Sequence, residues 1–149
     1  LLFDFSKVLL FPRDQNYHGS LNKLYKKIQN EGKDFNDYYR LNTDLLDYLS
    51  NLDCEKYIFT TGTVQNAPEI KDQVKAVFKD IFNVPLIGFE KTDKRAYLDI
   101  AERVGVESNE LLFIDDNTDN LQAAKQAGSN TFHYENNEQT QSFVDGWLK

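Results

Sequence analysis

The chain alternates short apolar runs with longer segments whose apolar residues recur at helical spacing. The runs are apolar almost throughout, rather than at every second position, which is typical of parallel strands covered by helices on both faces. The pattern therefore predicts an α/β fold with a parallel five-stranded sheet covered by helices on both faces. The predicted strands are residues 1–5, 56–61, 84–89, 110–115 and 130–135.

Apolar residues three and four positions apart predict the helices. Ser20 is suited to cap the first of them, and Gly105 and Gly128 are suited to end two later ones. The predicted helices are residues 21–28, 43–52, 68–81, 95–104, 119–127 and 141–149. The apolar face of the third predicted helix consists of Ile70, Val74, Val77, Phe78 and Ile81.

Composition narrows the class of protein. The 149 residues are about one domain's worth, and a net charge of −7 argues against sequence-independent nucleic-acid binding. No run approaches the roughly 20 apolar residues that span a bilayer, which argues against a membrane protein. The single cysteine, Cys54, leaves no internal disulfide and favours a cytoplasmic location. Because the chain lacks Met and opens on a strand, we expect residues to precede Leu1.

Polar side chains lie at or just after the carboxyl ends of four of the predicted strands, where ligands bind in parallel α/β sheets. They are Asp4 and Ser6, Thr60 and Thr61, Lys91, and the pair Asp115 and Asp116. Three carboxylates at one edge would repel one another without a cation, and oxygen ligands favour Mg²⁺. A lysine and a threonine hydroxyl beside them suit a phosphoryl group, and an aspartate there can act as a nucleophile.

Four segments resemble the motifs of the haloacid dehalogenase-like (HAD) hydrolase superfamily. Residues 3–10 are similar to its first motif, Asp-x-Asp followed by Gly, and residues 58–62 resemble the second, an apolar strand ending in Thr or Ser. Residues 90–101 resemble the third, a Lys before a helix. Residues 111–128 match the fourth closely, including its paired acids and its final Gly.

The resemblance implies a three-layer α/β/α Rossmann-like sandwich with the first strand in the centre of the sheet. It also implies a phosphohydrolase or phosphotransferase that uses Mg²⁺ and a phosphorylated substrate. Asp4 would be the nucleophile and form the aspartyl-phosphate, while Thr61 (or Thr60), Gly62 and Lys91 would bind phosphate. The implied metal ligands are Asp4, the backbone carbonyl of Ser6, Asp115 and Asp116.

The first motif departs from the family at two positions. Ser6 stands where the family has its acid/base Asp, whose help is typically worth about 10²–10⁴-fold, and Lys7 replaces the usual Gly. Three interpretations stay open: a slow or specialised phosphoryl transfer, a phosphonate hydrolysis, and a silent site that binds Mg²⁺ and phosphate without turnover. The second would need a lysine for a Schiff base, for which Lys23, Lys26 and Lys27 are available.

The chain is predicted to be a single domain, residues 1–149, with a small helical cap insertion at about 12–42. A cap this short leaves the site open to a bulky substrate, or a second subunit closes it in a homodimer.

Overall fold

The computed structural model describes all residues, 1–149, and confirms the predicted α/β sandwich. The strands are β1 (Leu2–Phe3), β2 (Leu10–Pro12), β3 (Tyr39–Leu41), β4 (Tyr57–Thr60), β5 (Asp80–Asn83), β6 (Leu112–Asp115) and β7 (Asn130–His133). The helices are α1 (Leu21–Asn30), α2 (Phe35–Tyr38), α3 (Thr43–Ser50), α4 (Lys71–Val77), α5 (Val84–Ile87), α6 (Lys94–Val104), α7 (Thr118–Gln126) and α8 (Asn137–Trp147).

The main sheet has the order β5-β4-β1-β6-β7, with every neighbouring pair parallel. The central strand, β1, is only two residues long, yet both of its residues are fully buried. Leu2 faces the layer of α6 and α7, and Phe3 faces the layer that contains α1, α3, α4 and α8. Because β1 is central, the residues that follow it lie between the ends of β4 and β6.

The third predicted strand is wrong in position. The observed strand β5 ends at Asn83, and residues 84–87, predicted as strand, form the short helix α5. The side chain of Asn83 accepts a hydrogen bond from the backbone N–H of Leu86, 2.8 Å away, and Pro85 lies in the first turn. This cap favours a helical turn over a continued strand.

The helix before β5 is correspondingly shorter than predicted. It ends at Val77, and Phe78 already has extended backbone angles. Ile81, predicted on the helical stripe, lies in β5 opposite Ile58 of β4. Pairing with β4 therefore overrides the helical spacing of these apolar residues.

An antiparallel pair, β2 with β3, was not predicted and closes the segment that carries α1 and α2. The hydroxyl of Tyr39 donates to the carbonyl of Leu21, 2.6 Å away, and its ring stacks on Phe35. Leu21 and Ile28 belong to the same apolar cluster as the sheet residues. The segment between β2 and β3, here called the insert, carries α1 and α2 and packs on residues of the sheet. The bounds of about 12–42 and the function of the insert as a cap stay predictions.

No helix is both long enough and apolar enough to cross a membrane.

Candidate active site

A polar cavity of about 290 Å³ opens at the carboxyl ends of the central strands. Its lining residues come from the loops after β1, β4 and β6, from the start of α1 and the two residues before it, from the first turn of α7 and from Lys91. They are Asp4, Ser6, Lys7, Gly19, Ser20, Leu21, Asn22, Thr61, Lys91, Asp116, Asn117 and Asn120. Leu21 is the one hydrophobic residue among them, which makes the cavity suited to a small polar ligand.

Three carboxylates meet beside this cavity. Oxygen atoms of Asp4, Asp115 and Asp116 all lie within 4.8 Å of one another. The backbone N–H of Asp4 donates to the carbonyl of Ile114, 2.9 Å away, so the pairing of β1 with β6 sets this proximity. Oxygen atoms grouped in this way are the ligands that Mg²⁺ takes in proteins.

Lys91 is held against these acids by its surroundings. Its ammonium is hydrogen-bonded to Asp4 and lies 3.2 Å from Oδ2 of Asp115. The Nζ atom also lies over the rings of Phe59 and Phe113, at 5.7 and 5.6 Å from their centroids. The hydroxyl of Tyr97 donates to the Lys91 carbonyl at 2.6 Å. Lys91 is therefore held in a buried position against two aromatic rings. It follows the helix α5 rather than the predicted strand.

Asp115 and Asp116 differ in what surrounds them. Asp115 is fully buried and does not line the cavity; its Oδ1 accepts from the N–H of Asn117 and its Oδ2 from Nδ2 of Asn120, both at 2.9 Å. Asp116 is partly exposed and faces the cavity. Its backbone carbonyl lies 3.0 Å from Nε2 of His133 on β7. The buried acid thus anchors Lys91 and α7, and the second acid is open to a ligand.

The two acids that face the cavity both have raised pKa values. Burial raises the pKa of Asp4 to about 7, with Asp115 adding to the rise and Lys91 opposing it. Burial and a hydrogen bond with Asp115 raise the pKa of Asp116 to about 6. Burial alone would lower the pKa of Lys91, but the carboxylates of Asp4 and Asp115 outweigh it and raise that pKa.

Asp115 shows the opposite balance. Its burial would raise its pKa, but Lys91 and the hydrogen bonds from Asn120 and Asn117 lower it overall. When all four groups are ionised, three carboxylates and one ammonium leave a formal charge of −2. A divalent cation would neutralise that charge, so the residues present fit a bound Mg²⁺.

The two candidate threonines are separated by the structure. Thr61 is exposed and lines the cavity, whereas Thr60 is buried at the end of β4. Gly62 does not line the cavity but lies directly against the insert, where a Cβ would come within 2.1 Å of Asn22. Oδ1 of Asn22 accepts from the N–H groups of Thr63 and Val64, both at 3.2 Å.

Ser6 and Lys7 both reach the cavity from the turn after β1. In this turn the N–H of Lys7 donates to the carbonyl of Leu10 at 2.7 Å, and that of Leu9 donates to the carbonyl of Phe5 at 2.9 Å. Lys7 has φ +63° and is the only non-glycine residue of the chain with a positive φ. This is the left-handed region that favours glycine, so the backbone of Lys7 is strained.

Sequence reasoning did not assign a site role to Asn22, Asn117 or Asn120. Asn117 had a local signal, since it precedes a helix, and it caps α7 through the N–H groups of Asp119 and Asn120. Asn120 then follows one turn later, with its amide on Asp115. Asn22 had no signal, because its partners are about 40 residues away along the chain.

Comparison with known proteins finds one family model and two curated relatives that match this chain. Residues 19–128 match the model of a hydrolase family described as haloacid dehalogenase-like hydrolase. The chain is 31% identical over 97 residues to an enolase-phosphatase E1 of Lachancea thermotolerans, covering 59% of this chain and 44% of that protein. It is 35% identical over 77 residues to an enolase-phosphatase E1 of Aquifex aeolicus, covering 48% and 34%. The chain thus spans less than half the length of these curated relatives.

A similar fold occurs in a HAD family enzyme of Bacteroides thetaiotaomicron, solved in complex with magnesium and inorganic phosphate. The TM-score is 0.65 at 17% sequence identity, covering 90% of this chain and 92% of that one. At this identity the likeness concerns the fold.

Proposed function

Because the chain belongs to the haloacid dehalogenase-like hydrolase family, we propose that it is a Mg²⁺-dependent phosphohydrolase in which Asp4 is the nucleophile. The observation that carries this proposal is the meeting of Asp4, Asp116 and Lys91 in one small polar cavity. Asp4 offers the carboxylate, Lys91 the compensating charge, and Asp116 a second oxygen ligand.

The metal-binding residues in this proposal are the three clustered acids and one backbone group. Asp4 and Asp116 face the cavity, and Asp115 lies within 4.8 Å of both. The backbone group is the carbonyl of Ser6, which the resemblance implies and whose residue lines the cavity. When bound, Mg²⁺ would neutralise the excess negative charge and polarise an oxygen of the phosphoryl group.

The residues of the chain then have distinct tasks. Lys91 favours the ionised form of Asp4, whose carboxylate oxygen attacks phosphorus while the bond to the leaving oxygen breaks. The hydroxyl of Thr61 donates to a phosphoryl oxygen, and the leaving oxygen takes its proton from water. A water molecule then attacks the phosphorus of the aspartyl-phosphate, which releases inorganic phosphate and restores the carboxylate.

Ser6 determines which step is slow. A serine hydroxyl does not take the proton of the attacking water at neutral pH, so hydrolysis of the aspartyl-phosphate lacks a general base. We therefore propose slow turnover limited by this second step. A substrate whose leaving group needs little protonation suits such a site, and a volume of about 290 Å³ favours a small phosphorylated compound.

The phosphonate hydrolase interpretation finds less support. Lys23 and Lys27 line a separate cavity of about 430 Å³ within the insert, together with Tyr17 and Tyr38. Neither lysine lines the cavity that contains Asp4, and Lys26 is exposed and does not line it either. The silent binding interpretation is the second candidate, because Ser6 lacks the acid/base carboxyl.

A single substitution separates the two candidates. Ser6→Asp places a carboxylate in the cavity of Asp4, and we expect turnover of p-nitrophenyl phosphate with Mg²⁺ to rise about 100-fold or more. Ser6→Asn is the matched control, of similar size but without a basic oxygen, and it should not raise turnover. In the original chain, mass spectrometry after acid quenching should detect phosphate on Asp4.

Two results would contradict the proposed phosphohydrolase mechanism. A Ser6→Asp variant that binds Mg²⁺ normally and remains inert would favour the silent binding site. Phosphate that still accumulates covalently in Asp4→Asn would show that another residue is the nucleophile.

A further inference from the structure

Lys7 stands out in both conformation and position. It is the one non-glycine residue with a positive φ, and it lies in the wall of the cavity rather than on the open surface. Backbone strain of this kind persists where the surrounding structure imposes it and is concentrated at functional sites. The strained backbone of Lys7 is therefore typical of a residue that has a function in the site.

The charge of Lys7 is not used within the chain. The cavity contains two cations, and Lys91 is paired with Asp4 and Asp115. Lys7 forms no ion pair with any residue. An unpaired ammonium in a small polar cavity is suited to an anionic ligand group.

The rest of the cavity wall offers no other free charge. In the proposed function, the two acids of the wall already have roles: Asp4 is the nucleophile and Asp116 binds the metal. The insert contributes only uncharged groups opposite them, among them the hydroxyl of Ser20 and the amide of Asn22. A second negative group on a substrate thus has one cation available to it, Lys7.

We propose that Lys7 is a substrate-binding residue that selects phosphorylated compounds carrying a second anionic group close to the phosphoryl group. This inference rests on the proposed function, because it takes the phosphoryl group to be bound by Lys91 and Thr61. The second group is a carboxylate or another phosphate, bound through a charge-assisted hydrogen bond from the Lys7 ammonium.

Binding of two non-hydrolysable phosphonates tests this inference without turnover. Phosphonoacetate carries a carboxylate beside the phosphonate, and ethylphosphonate is of similar size without it. With Mg²⁺ present, calorimetry should show phosphonoacetate binding about tenfold more tightly to the original chain, as expected for one charge-assisted hydrogen bond. Lys7→Asn should abolish this preference and leave the affinity for ethylphosphonate within about twofold, since asparagine tolerates a positive φ.

Two control variants make the result specific. Lys7→Arg retains the charge and should retain the preference. Lys125→Asn makes the same charge change at an exposed position of α7 outside the cavity and should leave both affinities unchanged.

Three outcomes would overturn the inference. Equal affinity of the original chain for both phosphonates would refute it alone. A Lys7→Asn variant that binds Mg²⁺ at least tenfold more tightly, with the preference for phosphonoacetate intact, would show that Lys7 acts on the metal site instead. Failure of the original chain to bind either phosphonate would contradict the phosphoryl site itself, and this inference with it.

Discussion

The side-chain amide of Asn22 occupies the space that a Cβ atom on Gly62 would need. Such an atom would lie 2.1 Å from both Cγ and Oδ1 of Asn22. The amide cannot easily move aside, because its oxygen accepts hydrogen bonds from the backbone N–H groups of Thr63 and Val64. This contact joins the start of α1 to the loop after β4 and so forms one wall of the cavity above Asp4.

Gly62→Ala should therefore displace the insert. We expect it to lower the free energy of unfolding by about 1–3 kcal/mol, the usual range for overpacking, as measured by urea denaturation. Asn22→Ala alone should lower it by about 1 kcal/mol through the lost hydrogen bonds. Since the first substitution acts by collision with the second residue, the double variant should lose less than the sum of the two. Additive losses would argue against the observed contact.

The two neighbouring acids should respond in opposite directions to loss of charge. Asp115 is buried and bonded to Lys91 and Asn120, so Asp115→Asn breaks a buried ion pair and should cost about 3 kcal/mol. At this chain length that corresponds to a melting temperature lower by roughly 6–12 °C. Asp116→Asn relieves repulsion and should raise the melting temperature of the metal-free protein while reducing the increase caused by Mg²⁺.

Calorimetry of both variants, with EDTA and with Mg²⁺, checks this difference. An unchanged Mg²⁺-induced shift in Asp116→Asn would exclude that residue as a ligand. A melting temperature of Asp115→Asn equal to the original would contradict its anchoring role.

Metal-free stability should fall as pH rises from about 4 to about 7. The pKa values of Asp4 and Asp116 are raised to about 7 and about 6, so both acids favour the folded state while protonated and lose that contribution as they ionise. Asp115, with its lowered pKa, acts in the opposite sense and loses its contribution only below about pH 4. Melting temperatures in EDTA at pH 5.0 to 8.0 measure the trend.

Two comparisons isolate its origin. Asp116→Asn should reduce the loss of unfolding free energy over this pH range by about 1–2 kcal/mol, the size expected for a partly exposed group. Saturating Mg²⁺ should remove the decline, because it compensates the ionised acids. A metal-free melting temperature that increases from pH 5 to pH 7.5 would contradict the raised pKa values.

Lys7→Gly should stabilise the fold. A left-handed backbone destabilises the folded state by about 1–2 kcal/mol when the residue is not glycine. Glycine also has more conformational entropy in the unfolded chain, which offsets about 0.5–1 kcal/mol of the stability gained. The net gain of up to about 1 kcal/mol should appear as a melting temperature higher by a few degrees. The control Lys7→Ala removes the same charge but keeps the strain, and it should show no such gain.

The sequence by itself determined the class of fold and grouped most of the candidate site residues at one edge of the sheet. Apolar runs and helical stripes are local features, so they located β1, β4, β6 and β7 and the helices that end at Gly105 and Gly128. The parallel arrangement followed from apolar strands alternating with helices. Because the carboxyl ends of such strands meet at one edge of the sheet, the sequence alone predicts that Asp4, Lys91 and the acids at the end of β6 lie close together.

Tertiary structure decided what depends on contacts between distant residues. Pairing with β4 placed β5 four residues before its predicted position and took Ile81 out of the helix. Only the folded chain shows that Asp115 is buried and hydrogen-bonded to Asn117 and Asn120 while Asp116 faces the cavity, because the two acids have the same local sequence signal. Only the packing of α1 on the loop after β4 brings Asn22 against Gly62, since neither residue carries any mark of a partner 40 positions away.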